Sequence, residues 1–262
     1  MKKYILFFGV MLFFISCKND KKDSNKEIEK TENTKVEFEK IAVDSTTLKD
    51  CENQDCPEME VEYLVFEGED EFSSQVNKEN ANHLSKLLHI NEEKPQAKSI
   101  EEALENFKNE YFEIKEEFPK SMTSYELKIT QEVENKEGKN IVLKTNFYIF
   151  TGGAHGYGGT HFMNFDRKTG KLLTHQDLIS DVPAFTDFVE EAFRRQYEIP
   201  AEADINSKGF LFEDGKFVLP ENIAVKENEV ILIYNPYEAA SYAEGPLRFL
   251  FPKKTVEQWF NY

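Results

Sequence analysis

The chain has 262 residues, 40% hydrophobic and 13% aromatic, with 32 basic against 49 acidic side chains and a formal charge of −17. That much apolar material buries one or two cores and excludes wholesale disorder, while a mean hydropathy of −0.59 excludes a polytopic membrane protein. The acidic excess argues against a nucleic-acid binder, which needs a basic footprint.

Residues 1–16 read as a signal peptide. Lys2 and Lys3 precede an apolar run from Tyr4 to Ile15, and Ser16 and Cys17 follow. The run is too short to span a bilayer, which takes about 20 helical residues. Phe14-Ile15-Ser16-Cys17 resembles a bacterial lipobox, with Phe14 where Leu is most usual. The resemblance implies acylation of Cys17 and a lipid anchor in a membrane of the cell envelope. An ordinary secretory signal with an incidental Cys is the other reading.

Residues 17–35 then form a charged, polar linker. Between 18 and 40, seven Lys balance seven acidic side chains, so the rest of the chain carries the imbalance: residues 41–262 hold 23 basic and 42 acidic residues, a charge of −19. Such a surface repels anionic polymers and steers cationic partners toward itself. Cys51 and Cys56 remain once Cys17 is set aside. Outside the cytoplasm they are expected to pair as a small disulfide loop. A zinc site would need two further ligands nearby, and none is evident.

Ordered structure is expected from Val36, where Val36 and Phe38 alternate with polar residues. Val61 to Glu67 reads as a half-buried strand, and Asn77 to Leu88 as a helix with Leu84, Leu87 and Leu88 on one face. Ser99 with Glu102 forms a capping box that opens a second helix, which stops before Pro119. Strands follow at Tyr125–Thr130 and Ile141–Phe150, joined by a hairpin turn over Glu134 to Asn140. After a Gly-rich bend, His161–Asp166 is a strand, Arg167–Gly170 a turn, and Leu172 and Leu173 a return strand. A helix is expected from Pro183 to Tyr197. The last third is strand-rich, at Phe217–Leu219, Asn222–Val225, Glu229–Tyr234 and Leu247–Phe251. Strands and helices fall in blocks, which predicts an α+β fold of antiparallel sheets with a few packed helices, divided into subdomains at 36–150 and 151–262.

Three segments carry a resemblance: Thr151 to Gly156, containing Gly152, Gly153, His155 and Gly156; Asn164 to Lys171, containing Asp166 and leading to Asp177 and Leu178; and Asn235 to Gly245, containing Tyr237 and Glu238. Together they resemble the extracytoplasmic domain pair of RsiV-type anti-sigma factors and PdaC-type peptidoglycan deacetylases. The first half is similar to the PdaC-like domain and the second to its usual C-terminal companion. Some ectodomains of this kind sense lysozyme, a strongly basic protein, by binding it. An anti-sigma factor also needs a cytoplasmic segment and a transmembrane helix, and a deacetylase needs a metal-dependent domain. Neither is read in this sequence.

Chemistry is otherwise sparse. There is no Gly-x-Ser-x-Gly elbow and no His-Glu-x-x-His. Gly152 to Gly159 has the composition of a phosphate loop but lacks Gly-Lys-[Ser/Thr] and is followed by a strand, so no nucleotide is expected. His155, His161 and His175 with Asp166 invite a zinc reading, yet the spacing matches no standard site. The Gly-flanked His155 is expected to be structural. Asn164 and Asp166 are expected to bond to turn amides. Tyr237 and Glu238 are expected to tie the 235–245 loop to the body, where an exposed aromatic also offers a binding anchor. The sequence thus predicts a non-catalytic envelope lipoprotein without a cofactor or metal. Its acidic ectodomain would bind a basic protein or a peptidoglycan fragment through the loops at 151–160 and 235–245. A hydrolase using His155 is the alternative.

Overall fold

The computed structural model describes residues 36–51, 55–120, 124–135 and 138–262. The expected signal peptide, the linker and Cys17 lie outside the described residues. Residues 36–262 form one compact unit.

A five-stranded sheet runs in the order β1 (Phe38–Asp44), β2 (Glu58–Phe66), β3 (Glu126–Asn135), β4 (Asn140–Phe150), β5 (Tyr157–Asp166). It is mixed rather than purely antiparallel, because β2 and β3 are parallel, with Val61 opposite Ile129. Parallel neighbours need a long crossover, and two helices supply it. The first, α1 (Glu71–Leu87), is capped by Asp70, whose carboxylate accepts the Ser73 amide. It starts six residues before the expected Asn77, because this cap precedes a polar first turn. The second, α2 (Ile100–Glu117), begins at the expected cap. The Ser99 hydroxyl accepts the Glu102 amide, while the Glu102 carboxylate reaches back to the Lys98 amide. Leu84, Leu88, Leu104, Phe107 and Tyr111 press onto Met59, Val61, Leu127 and Ile129 of the sheet. The hairpin between β3 and β4 contains a bulge between Val133 and Asn135.

The Cys51–Cys56 disulfide forms as expected. The chain flanking it is tied to α2: the fully buried Lys108 donates to the Lys49 carbonyl at 2.8 Å, and the Tyr111 hydroxyl bonds to Asp55 at 2.8 Å.

The second sheet is antiparallel, in the order β6 (Asn222–Val225), β7 (Glu229–Tyr234), β8 (Leu247–Pro252). The short α3 (His175–Leu178) and the longer α4 (Val182–Gln196) precede it, and α5 (Lys253–Val256) follows. Phe193 on α4 is the hub of its core, ringed by Tyr197, Phe210, Phe212, Phe217, Tyr234 and Phe249 at centroid distances of 4.7 to 6.1 Å. Phe217 to Leu219 is not the expected strand. Phe217 turns into this aromatic cluster and the segment stays irregular. Leu172 makes a single bridge to Phe165 in place of a return strand.

The sheets meet at the outer edge of β5. Among the described residues no full strand pairs with this edge, and asparagine side chains bridge it to β6 instead, satisfying backbone groups of both strands. Asn164 donates to the Ile223 carbonyl and accepts from the Val225 amide, Asn140 donates to the Val225 carbonyl, and Asn222 accepts from the Phe162 amide. A small apolar layer of Val142, Phe162, Ala224, Ile231 and Ile233 fills the space beside them. The β4–β5 hairpin therefore carries the first sheet across the subdomain boundary expected at residue 150.

Candidate functional site

The Gly-rich segment leaves β4 at Thr151 and reverses direction through Gly152 and Gly153, at φ 101° and 91°. Two later glycines are required by close approach. A Cβ on Gly156 would sit 2.5 Å from the Tyr148 ring, and one on Gly159 would sit 2.8 Å from Asn235 Oδ1. Gly158 and Gly159 belong to β5, opposite Tyr148 and Phe147.

The second loop leaves β7 after Tyr234. Glu238 organises it: one carboxylate oxygen accepts the Asn235 amide and the other the Glu221 amide, both at 2.8 Å, so the loop is tied to the entry of β6. Burial pushes the Glu238 carboxyl above its ordinary range, the two amides oppose that shift, and the Glu221 charge adds to it. Tyr237 sits at φ 71°, a strained conformation for a non-glycine residue, and its side chain is 54% exposed. Gly245, at φ 67°, closes the helical turn Tyr242–Glu244.

Asn235 brings the two loops together. Its side-chain amide accepts from the Thr160 N–H at 3.0 Å and donates to the Thr160 carbonyl at 2.9 Å. His155, from the first loop, stacks on Tyr242 of the second, with ring centroids 4.1 Å apart and planes 19° apart. Tyr237 Oη lies 3.4 Å from His155 Nε2, and His155 Nδ1 lies 2.9 Å from the Gly156 carbonyl. The planes of Tyr237 and Tyr242 are tilted by 34°, with centroids 5.7 Å apart. Exposed Tyr157 packs on Phe147 nearby. Burial raises its hydroxyl pKa, and the Glu238 and Glu221 charges raise it further. The result is an aromatic ledge with carboxylates behind it. Such a ledge suits stacking and hydrogen bonding.

The other sequence-predicted residues are elsewhere. Asp166 accepts the Lys168 and Thr169 amides and caps its turn as expected. Asn164 is buried and bonds to β6 rather than to turn amides. The three histidines of the zinc reading are dispersed: His155 lies on the ledge, His161 stacks on His83, and His175 Nε2 approaches the Glu221 carbonyl at 3.2 Å. Among the described residues, no three His, Cys, Asp or Glu side chains are grouped to hold a metal ion, and no helix is long and apolar enough to cross a membrane. Sequence reasoning did not single out Tyr242, Tyr157, Gly159 or Asn235. Asn235 opens the 235–245 segment, but its partner Thr160 lies 75 positions away.

Residues 50–157 match the family model described as deacetylase PdaC, and residues 173–254 match that described as a protein of unknown function, DUF3298. Among solved structures, the chain is similar to a DUF3298 family protein from Pseudomonas aeruginosa, at 20% identity and a TM-score of 0.62, over 86% of this chain and 94% of that one. A DUF3298 family member from Bacteroides fragilis is similar at 20% identity and a TM-score of 0.61, over 87% and 94% of the two chains. These likenesses establish the α+β fold. No curated protein matches the chain.

Proposed function

From a chain that carries the PdaC and DUF3298 domain pair, we propose a non-catalytic recognition module of the bacterial cell envelope, held to its membrane by a lipid on Cys17. The observation that supports recognition best is the convergence of the two loops on one exposed surface. His155, Tyr237 and Tyr242 are presented there by hydrogen bonds to the β5 edge, and Tyr237 is kept in a strained backbone. The ring nitrogens of His155 face a backbone carbonyl and a tyrosine hydroxyl. That arrangement fixes the ring in place and leaves it stacked on Tyr242 for contact.

The partner this surface fits is a basic protein. Arg and Lys side chains stack on tyrosine faces, and the charge of −19 on residues 41–262 speeds their approach. Immobilised residues 36–262 should capture lysozyme saturably, with affinity falling steeply between 50 and about 500 mM salt, and should not capture an acidic protein of similar size. Absence of saturable binding to lysozyme, with binding of soluble peptidoglycan fragments instead, overturns the protein-partner reading. Turnover of muropeptides by the purified chain overturns the non-catalytic one. Failure of palmitate to label the full chain at Cys17 overturns the anchor.

A further inference from the structure

His83 on α1 and His161 on β5 stack face to face, with centroids 4.0 Å apart and planes 22° apart. His83 Nε2 and His161 Nδ1 are both buried without a hydrogen-bond partner among the described residues. An orphaned buried nitrogen is costly and needs a reason.

The pair ends a buried polar seam between α1 and the sheet. Asn80, one turn before His83, exchanges hydrogen bonds with Gln131, which also donates to Thr145, and Thr145 lies opposite His161 in the ladder. These neighbours are neutral. Of the charged groups that bear on the pair, Lys86 of α1 disfavours a cation on either ring, while Glu221, from the segment entering β6, favours one on His161. The stack is thus built for two neutral rings. Two imidazolium ions in this place would repel each other at about 4 Å with little water to screen them.

We propose that the His83–His161 stack is an acid-released latch between α1 and β5. Protonation separates the rings and loosens β5 at Thr160, the residue preceding His161, which holds Asn235 and with it the aromatic loop. Geometry and electrostatics agree. Burial, then the His161 and Lys86 charges, push His83 down to about 3, and burial also lowers His161. In the opened state each ring regains an ordinary value near 6.5, so acid favours opening.

Hydrogen exchange on residues 36–262 without any partner tests the latch. After correction for the chemical pH effect, exchange of the amides of residues 78–87 and of Thr160 should rise about 30-fold between pH 7.5 and 5 for His83 alone. His83→Phe preserves a stacked ring that does not titrate and should flatten this rise, and His161→Phe should do the same. An undiminished rise in both variants overturns the proposal. If neither variant folds, the C2 proton shifts of the unsubstituted histidines decide: two rings titrating near 6.5 overturn it, and rings that stay neutral well below that value support it. The consequence for the aromatic loop rests on the recognition role proposed above. Because exchange is read without a ligand, a latch that fails is distinguishable from a surface that binds nothing.

Discussion

The side chain of Asn235 sits on Thr160 as another strand would, accepting from its N–H and donating to its carbonyl. One amide thereby closes part of a sheet edge and fixes the spacing between two loops. Asn235→Ala leaves both Thr160 groups unpaired and should cost about 2 kcal/mol, read as a lower urea midpoint. Gly159→Ala should act through the same contact, because the new methyl group enters the space of the Asn235 amide. In the double variant the two losses should not add, since one interaction is removed twice.

Tyr237 invites the opposite experiment. Its backbone is strained and its ring is exposed. Tyr237→Gly should leave stability unchanged or raise it by up to ~1 kcal/mol. The same change should weaken capture of a basic partner about tenfold, or ~1.4 kcal/mol. Calorimetric melting and surface plasmon resonance on one preparation separate these effects.

Acid should destabilise the fold in two windows. His83 has a folded pKa below its ordinary value, so the unfolded chain takes up its proton first. The neutral ring therefore costs nothing above about pH 6.5, and stability falls as pH drops from there toward 3. Asp177 is also lowered, to about 2, by the Lys171 ammonium and by the Thr174 amide and hydroxyl. For a carboxylate that shift means a contribution complete above about pH 4 and lost as pH falls through 2. Asp177 is only half-buried at the surface, so solvent screening keeps this second contribution small. Asp177→Asn should have a lower urea midpoint than the parent chain at pH 5 and the same midpoint near pH 1.5.

The Cys51–Cys56 bridge closes a very short loop, which limits its entropic effect to about 2 kcal/mol. Replacing both residues with Ser should lower stability by about that amount. Because Lys108 still holds the preceding Lys49 carbonyl and Tyr111 holds Asp55, proteolysis should not shift to this segment until one of these anchors is also removed.

Much of this architecture was legible because local rules and burial agree in it. Alternation in β2 and β8, the Ser99 cap and the Phe185–Phe193 spacing of α4 all place apolar side chains where the cores lie. Phe217 to Leu219 misled because an apolar triplet resembles a strand, whereas Phe217 is drawn into rings around Phe193 and Pro220 follows at once. The start of α1 leaves no periodic signal because Ser73, Ser74 and Gln75 interrupt helical periodicity. The aromatic ledge was half legible: both loops carry recognisable glycines and tyrosines, but their meeting depends on Asn235 and Thr160, far apart in the chain. The His83–His161 stack left no local signal, since each histidine stands in an ordinary element and gains meaning only from the other.

The parallel pairing of β2 with β3 affects the order in which the polypeptide becomes safe from its neighbours. β2 can zip to β1 at once, but its other edge waits until two helices and some 60 further residues have been placed. During that interval an apolar ribbon of Met59, Val61 and Tyr63 is open to the wrong chain. Glu58, Glu60 and Glu62 alternate with those side chains, and identical ribbons meeting edge to edge would bring carboxylates together. The acidity of the finished molecule thus also guards the unfinished one against copies of itself.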